Sequence, residues 1–569
     1  MTATPAKLIA LLIALCAAGT LAAQRPRQPF TVVEASIPEM RVALEERRVT
    51  SVQIVTQYLT RIATYDAMLH ATLAVARGAL AEAAERDRER AAGRVRGPLH
   101  GIPIAVKDNV QTTTMPTTGG ALAFAGFVPP YEATLVAHLR AAGAIIIAKT
   151  GMTELANWIA AGGPTPMPTN YNALSGFGFN PYDPRRDPRR GADGRPALAT
   201  GGSSSGIGTA ANLWAANVGS ETSGSILSPS NQNMLVGIKP TVGRISRHGV
   251  MPITADQDTP GPMAKTVTDA AILLGVLEGA RPDPRDPATD ACMRPVNGDY
   301  RGFLDKDALR GMRIGIPRSF FYERTTFFGF VSAGGLSAHE ASAMTDAIAV
   351  LRAQGAVIVD PADIPSVVDK NPASNFLSWD ICADIDERRE KDDGCSIVLK
   401  YGMKRDFNAW LGSLGPTAPV KSLTELREWN AAHRSAGALK YGQATLDISD
   451  EMDVDRDRTR YEADRARERR LAAAHGIDEA MKSHRLDALL FPGANGAALA
   501  ARPGYPTVIV PFAAVPNAPT PGFPAGFRAR PAPFGVSFTG MACSEPRLLA
   551  LAYAFEQATH RRVAPLAFP

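Results

Sequence analysis

The sequence predicts an α/β protein, and three observations carry that expectation. Short apolar runs recur along the chain, Ile102 to Val106 and Ala144 to Ala148 the clearest. Segments with apolar residues at helical spacing separate them. The hydrophobic content of 45% can build a sizeable core. Alternation of this kind favours a sheet layered with helices.

Taken in order, residues 36–66 predict two helices. Ser36 is a suitable N-cap for the first, and Pro38 fits its opening turn. In the second, Ile54, Val55, Tyr58, Leu59 and Ile62 recur at helical spacing. Residues 75–93 form a charged, Ala-rich helix with acid–base pairs on its exposed face. Residues 102–106 make a buried strand that delivers Lys107 at its end. A helix over 134–140 leads into the strand at 144–148. Residues 160–200 are rich in Pro, Gly, Arg and Asp and predict a long loop. A helix is expected over 207–217. Strands follow at 311–316 and 355–359, with a helix over 338–353 between them. The stretch 370–470 is more polar and helical, Leu423 to Ala432 included. Its charge run from Asp450 to Arg470 predicts a solvated helix face. Residues 516–533 form a Pro/Gly-rich loop. No internal repeat is present.

Composition narrows the function. With 61 basic and 56 acidic residues the net charge is +5 over 569 residues, too balanced to argue for nucleic acid as a partner. The N-terminus predicts an export signal over residues 1–23: Lys7, an apolar core from Leu8 to Ala18 too short to span a bilayer, then small residues before Gln24-Arg25-Pro26. The mature chain, 24–569, is then periplasmic or secreted, with no stable membrane insertion. Four cysteines remain, and Cys382 and Cys395 are near enough in sequence to pair, although sequence alone leaves the connectivity open. No Cys/His cluster has metal-ligand spacing.

The chemistry concentrates in three places. Gly201-Gly202-Ser203-Ser204-Ser205-Gly206 and Gly219-Ser220-Glu221-Thr222-Ser223-Gly224-Ser225 present glycine-framed serines. Lys107 sits upstream in His-Gly-Ile-Pro-Ile-Ala-Val-Lys-Asp-Asn. A serine hydroxyl needs a base before it attacks, and a lysine stripped of its charge by burial can serve. The pKa must fall by about 3 units from its usual value for that. A phosphate-binding loop would require Gly-Lys-Ser/Thr after the turn, and Ile207-Gly208 stands there instead. His100 and His248 lie near these motifs, but nothing supports a Ser–His–Asp arrangement.

On these residues the chain resembles the amidase signature family. Residues 99–110 are similar to its lysine segment, 201–206 and 219–230 to its glycine–serine signature, and 262–271 to the segment that follows. Gly504-Tyr505-Pro506, Val510-Pro511 and Pro533-Phe534-Gly535-Val536 fit its tail. The likeness runs from about residue 36 to the C-terminus. It implies one domain over 24–569, built on a large mixed central β-sheet covered by helices on both faces, in place of the several domains its length would suggest. It also implies a Ser–Ser–Lys triad: Ser225 as nucleophile, Ser203 as bridge held by a cis peptide after Gly202, and Lys107 as base. Backbone N–H groups of Thr222, Ser223, Gly224 and Ser225 would form the oxyanion hole. Ser204 is expected beside them as an oxyanion or substrate-binding residue, and its hydroxyl as a structural hydrogen bonder able to orient the lysine. No metal or organic cofactor is implied. Ser223 and Leu227 replace the Asp or Gly and the Arg that many members carry, and the 160–200 segment is longer than expected. Both departures bear on substrate. The implied activity is hydrolysis of a carboxamide, a peptide C-terminal amide or an acyl or aryl amide; the alternative is an amidotransferase-type subunit that works with a partner protein. The shape of the substrate cavity is expected to depend on the 160–200 loop and the 370–470 region.

Overall fold

The computed structural model describes residues 29–162, 167–327 and 331–569. The segment read as an export signal lies outside them. Eleven strands form one mixed sheet. In chain order they are β1 (Thr72–Val75), β2 (Pro103–Lys107), β3 (Ile145–Thr150), β4 (Ala216–Glu221), β5 (Val236–Lys239), β6 (Thr259–Ala264), β7 (Arg313–Gly315), β8 (Val357–Val359), β9 (Ala488–Pro492), β10 (Thr507–Val515) and β11 (Ala532–Thr539). Across the sheet they run β1-β3-β2-β4-β6-β5-β10-β11-β9-β7-β8. Strand β2 lies parallel to both β3 and β4, in the middle of one half.

Every residue of β2, β3, β4, β6 and β9 is buried. A strand buried along its whole length is covered on both faces, so these strands are mostly apolar or small-residue runs rather than alternating ones, and their buried polar exceptions, Lys107, Lys149, Asn217 and Glu221, are hydrogen-bonded. Helices supply the cover. Ile37–Glu45 begins with the Ser36 capping box closed by Glu39, and Ala338–Ala353 fills the predicted range. Val267–Glu278 is almost entirely buried and packs against β6 and β5.

Three expectations need revision. The helix over 207–217 is a single turn, Ile207–Ala210. Asn212 turns left-handed at φ 56°, the Trp214 ring packs onto Gly208 where a Cβ would sit 2.1 Å away, and β4 must start at Ala216 to pair with β2. Tertiary pairing overrides helical spacing here. The 160–200 loop contains a short hairpin, Tyr171–Asn172 against Gly176–Phe177. Its Asp-Pro-Arg repeats fold on themselves, Asp183 pairing with Arg185 and Asp187 with Arg189, and those arginines reach the carbonyls of Arg528 and Pro521 in the loop between β10 and β11. Finally, the charge run is only partly solvated. On the helix Arg458–Arg469, Asp464 and Glu468 are buried and accept hydrogen bonds from Ile397 N and the Ser396 hydroxyl.

Both cysteine pairs in the described residues are bonded, Cys382 to Cys395 and Cys292 to Cys543. The second joins residues 251 apart in sequence. In a loop-entropy account the short bridge contributes about 3 kcal/mol and the long one about 5 kcal/mol. No helix among the described residues is long and apolar enough to cross a membrane.

Candidate active site

Strand β2 ends on Lys107, whose side chain is fully buried. Its ammonium nitrogen meets three oxygens: Ser203 Oγ at 2.9 Å, the Ser220 carbonyl at 3.0 Å and Ser220 Oγ at 3.0 Å. Among the described residues, no carboxylate touches it. Burial therefore pushes the lysine down to about 7, against the opposing pull of Asp258 and Glu221 at longer range.

A second buried lysine shows what this arrangement avoids. Lys149 lies one register position away on β3, opposite Val106. It lies 3.5 Å from the Asp108 carboxylate and donates to Thr117 Oγ1 at 2.7 Å. Burial lowers it too, only to about 8, because Asp108 supports its charge. Two lysines equally shut away from water thus differ in whether an acid stands beside them.

Ser220 is held from both sides. Asn109 Nδ2 donates to its hydroxyl at 3.0 Å, and the Ser204 hydroxyl donates to its carbonyl at 2.9 Å while accepting from its N–H at 3.1 Å. Ser204 is fully buried, and both hydrogen bonds of its hydroxyl go to Ser220. It serves the lysine through Ser220.

The Ser225 turn follows β4 directly. Glu221 Oε2, at the strand's end, accepts the N–H groups of Ile226 at 2.7 Å and Leu227 at 2.9 Å. This fixes the chain just past Ser225. Gly224 has φ 86°, a conformation that L side chains rarely adopt. The two glycine-framed loops clasp each other: Ser204 N donates to Ser225 O at 3.1 Å, and a Cβ on Gly202 would come within 3.0 Å of Ser225 Cα. Among the described residues, neither the Ser225 hydroxyl nor the N–H groups of Ser223, Gly224 and Ser225 have a hydrogen-bond partner. Free N–H groups in one turn beside a free hydroxyl make a site for a developing oxyanion.

One expectation is corrected. The cis peptide bonds among the described residues are Asp360–Pro361 and Thr520–Pro521, so the Gly202–Ser203 bond is trans. A cis bond before a non-proline residue costs ~3 kcal/mol. The turn is made by Gly201, at φ 91° with the Pro229 backbone against it.

A cavity of about 310 Å³ borders the lysine side of this site. Asn109, Ser220, Thr222 and Asp258 form its inner wall; Tyr131, Met251, Ile253 and Trp410 make the apolar one. The 370–470 region contributes Asp406, Ala409, Trp410 and Ser413, and no described residue of 160–200 lines it. That loop is held against the β10–β11 loop instead. His248 lines the outer part of the cavity, and His100 Nε2 lies 2.9 Å from the Arg86 carbonyl; neither bonds to the serines. No group of three or more His, Cys, Asp or Glu among the described residues could hold a metal ion.

The structure therefore brings together Lys107, Ser203, Ser204, Thr222, Ser223, Gly224 and Ser225. It adds Ser220, Asn109, Glu221 and Asp258, which the sequence reading left without roles. Ser220, Glu221 and Asn109 stand inside the quoted motifs and were within reach. Asp258 had no local signal.

Comparison with known proteins shows the family. Residues 53–549 match the Amidase family model. A probable amidase of Arabidopsis thaliana is 32% identical over 552 residues, covering 96% of this chain and 94% of its own. The native peptide amidase of Stenotrophomonas maltophilia superposes with a TM-score of 0.77 at 33% identity, over 94% of this chain and 99% of that one. A glutamyl-tRNA(Gln) amidotransferase chain of Thermosynechococcus vestitus is 38% identical, but over only 57% of this chain and 60% of its own length. A lysine buried among serine oxygens, on a sheet shared with peptide amidases, places this chain in the amidase family as an amide-hydrolysing enzyme.

Proposed function

We propose that the protein is an exported serine amidohydrolase that works through an acyl-enzyme on Ser225, with Lys107 and Ser203 as its proton path. The observation that carries this reading is the 2.9 Å contact between Lys107 Nζ and Ser203 Oγ, in a loop hydrogen-bonded to Ser225. A neutral lysine has two N–H groups and one lone pair. The Ser220 carbonyl can only accept, so it takes one N–H. Ser220 Oγ can take the other, which leaves the lone pair for the Ser203 hydroxyl proton. Ser203 can then accept the proton of Ser225 as Ser225 Oγ bonds to the amide carbon. The carbonyl oxygen becomes an oxyanion facing the N–H groups of 222–225, each donor typically worth about 3–4 kcal/mol. Collapse breaks the C–N bond, and the proton held by Lys107 returns through Ser203 to the leaving nitrogen. Water repeats the sequence on the ester and frees the acid.

The peptide amidases among the similar structures support a peptide C-terminal amide or an acyl or aryl amide as substrate. The two disulfides support residence in an oxidising compartment, in line with the N-terminal signal. The test is a screen of peptide amides, simple amides and esters, with ammonia and acid quantified and the Ser225→Ala variant as blank. An acyl adduct trapped on the Ser225 peptide is expected by mass spectrometry. An adduct elsewhere, or turnover by the blank, ends the assignment. Ammonia release by the purified chain alone separates this reading from that of an amidotransferase-type subunit, which needs its partner. Export is read from the N-terminus of the mature protein recovered outside the cytoplasm.

A further inference from the structure

Asp258 takes no part in the proton path described above, yet it touches both halves of the site. One carboxylate oxygen accepts the Thr222 hydroxyl at 2.6 Å, and the other accepts the N–H groups of Ile253 at 2.8 Å and Thr254 at 3.0 Å. Thr222 opens the turn that carries the free N–H groups. Asp258 itself stands at the start of β6, the antiparallel neighbour of β4, and it lines the cavity beside Ser220. The loop it fixes, 253–258, is in turn tied to the 370–470 region, where Asp406 accepts Ala255 N at 2.7 Å.

The surrounding charges single this carboxylate out. Around Lys107 stand Glu221, whose Oε2 is engaged by two backbone N–H groups, and Asp108, paired with Lys149. Around Asp258, Arg247 is paired with Asp286, Arg285 with Asp283, and Arg405 with Asp406. His248 lines the same cavity, uncharged at neutral pH because burial lowers it. No cation in the described residues forms an ion pair with Asp258; at longer range it faces Arg247 and Asp406, of opposite sign, and the lysine.

We propose that Asp258 is a positioning residue with two separable effects: its charge sets the pH at which Lys107 becomes a base, and its bond to Thr222 fixes the oxyanion turn. The proposal rests on Lys107 being the base. The sign is fixed by the chemistry. An anion favours the ammonium, so removing it lets the lysine lose its proton at lower pH. Burial holds Asp258 itself at about 6, close to the lysine's value of about 7. The two therefore titrate as a coupled pair and spread the acid limb of the rate profile.

The experiment is kcat/KM against pH for the wild-type enzyme, Asp258→Asn and Thr222→Val. Asp258→Asn should move the acid limb to lower pH by on the order of one unit and sharpen it to a single-proton slope. Thr222→Val should lower kcat roughly tenfold, the effect of one loosened donor turn, and move the limb less than Asp258→Asn does, because the carboxylate loses one supporting hydroxyl but keeps its two backbone donors. Asp258→Ser removes the charge with a smaller side chain and reads the same limb should the amide variant not fold. A folded charge-free variant whose limb coincides with wild type overturns the proposal, as does failure of both to fold, which would make Asp258 a requirement of the fold. Lys107→Met in the same assay keeps the two readings apart. Activity with an unchanged limb in that variant defeats the base itself, whereas its inactivity beside an unshifted Asp258→Asn defeats this inference alone.

Discussion

The floor and the roof of the site are built differently. The floor is the end of β2 and two glycine-framed loops, all within hydrogen-bond reach of each other and joined directly to the sheet. Its polar atoms are fixed by short, mutually supporting contacts: Asn109 to Ser220, Ser204 to Ser220, Lys107 to Ser203. The roof comes from the 370–470 region. A second apolar cluster, in which Phe407, Trp410 and Met403 meet Phe124, Leu155 and Met251, seats it on the sheet-side loops. Ion pairs around Asp256, from Arg405 and Arg465, and the Cys382–Cys395 bridge hold its edge. Hydrogen bonds demand fixed geometry, whereas apolar packing tolerates volume-conserving change. On the proposed function, chemistry belongs to the floor and substrate choice to the roof.

Substitutions on either side can break that division. The largest effect belongs to Ser225→Ala, expected to lower kcat by about 10⁴-fold or more while the melting temperature stays near wild type; rates and calorimetry together check it. Lys107→Ala should lose at least ~10³-fold, and its residual rate should no longer rise through pH 7. In the parent enzyme the proposed mechanism requires that rise, because there the lysine acts only when neutral and burial pushes it down to about 7. Ser220→Ala keeps the carbonyl contact but removes the hydroxyl that fills one lysine N–H, so a loss of ~10- to 100-fold in kcat with little change in KM is expected. On the roof, Trp410→Ala should instead raise KM by roughly tenfold and spare kcat, since it enlarges the cavity without touching the serines. A Trp410→Ala enzyme that lost kcat alone would erase the distinction drawn here. The smallest effect is on stability. Removing Cys382–Cys395 should cost at most about 3 kcal/mol, and Cys292–Cys543 at most about 5 kcal/mol, read by denaturant unfolding with and without reductant.

The alternation of apolar runs and helical spacing was enough to locate β2, β3 and the helices at 37–45, 134–141 and 338–353. Those signals are local: a strand buried on both faces is mostly apolar, and Ser36 and Ser337 cap the helices at 37–45 and 338–353 with their own hydroxyls. The same is true of Lys107, Ser203 and Ser225, because the glycines that let a backbone turn and approach another chain are written beside the residues they serve. Local propensity failed at 207–217, where pairing with β2 stopped the helix after one turn. It failed again at 450–470, where Asp464 and Glu468 found buried donors that no charge pattern announces. Asp258 is the sharpest case. Its sequence neighbours give no hint of Thr222, and only the antiparallel pairing of β4 with β6 brings them together. The sequence by itself determined which groups could do chemistry, since reactivity follows from residue type and backbone freedom. Tertiary structure alone decided which charges face the lysine and which residues wall the cavity, since electrostatics and volume depend on distances that long-range packing sets.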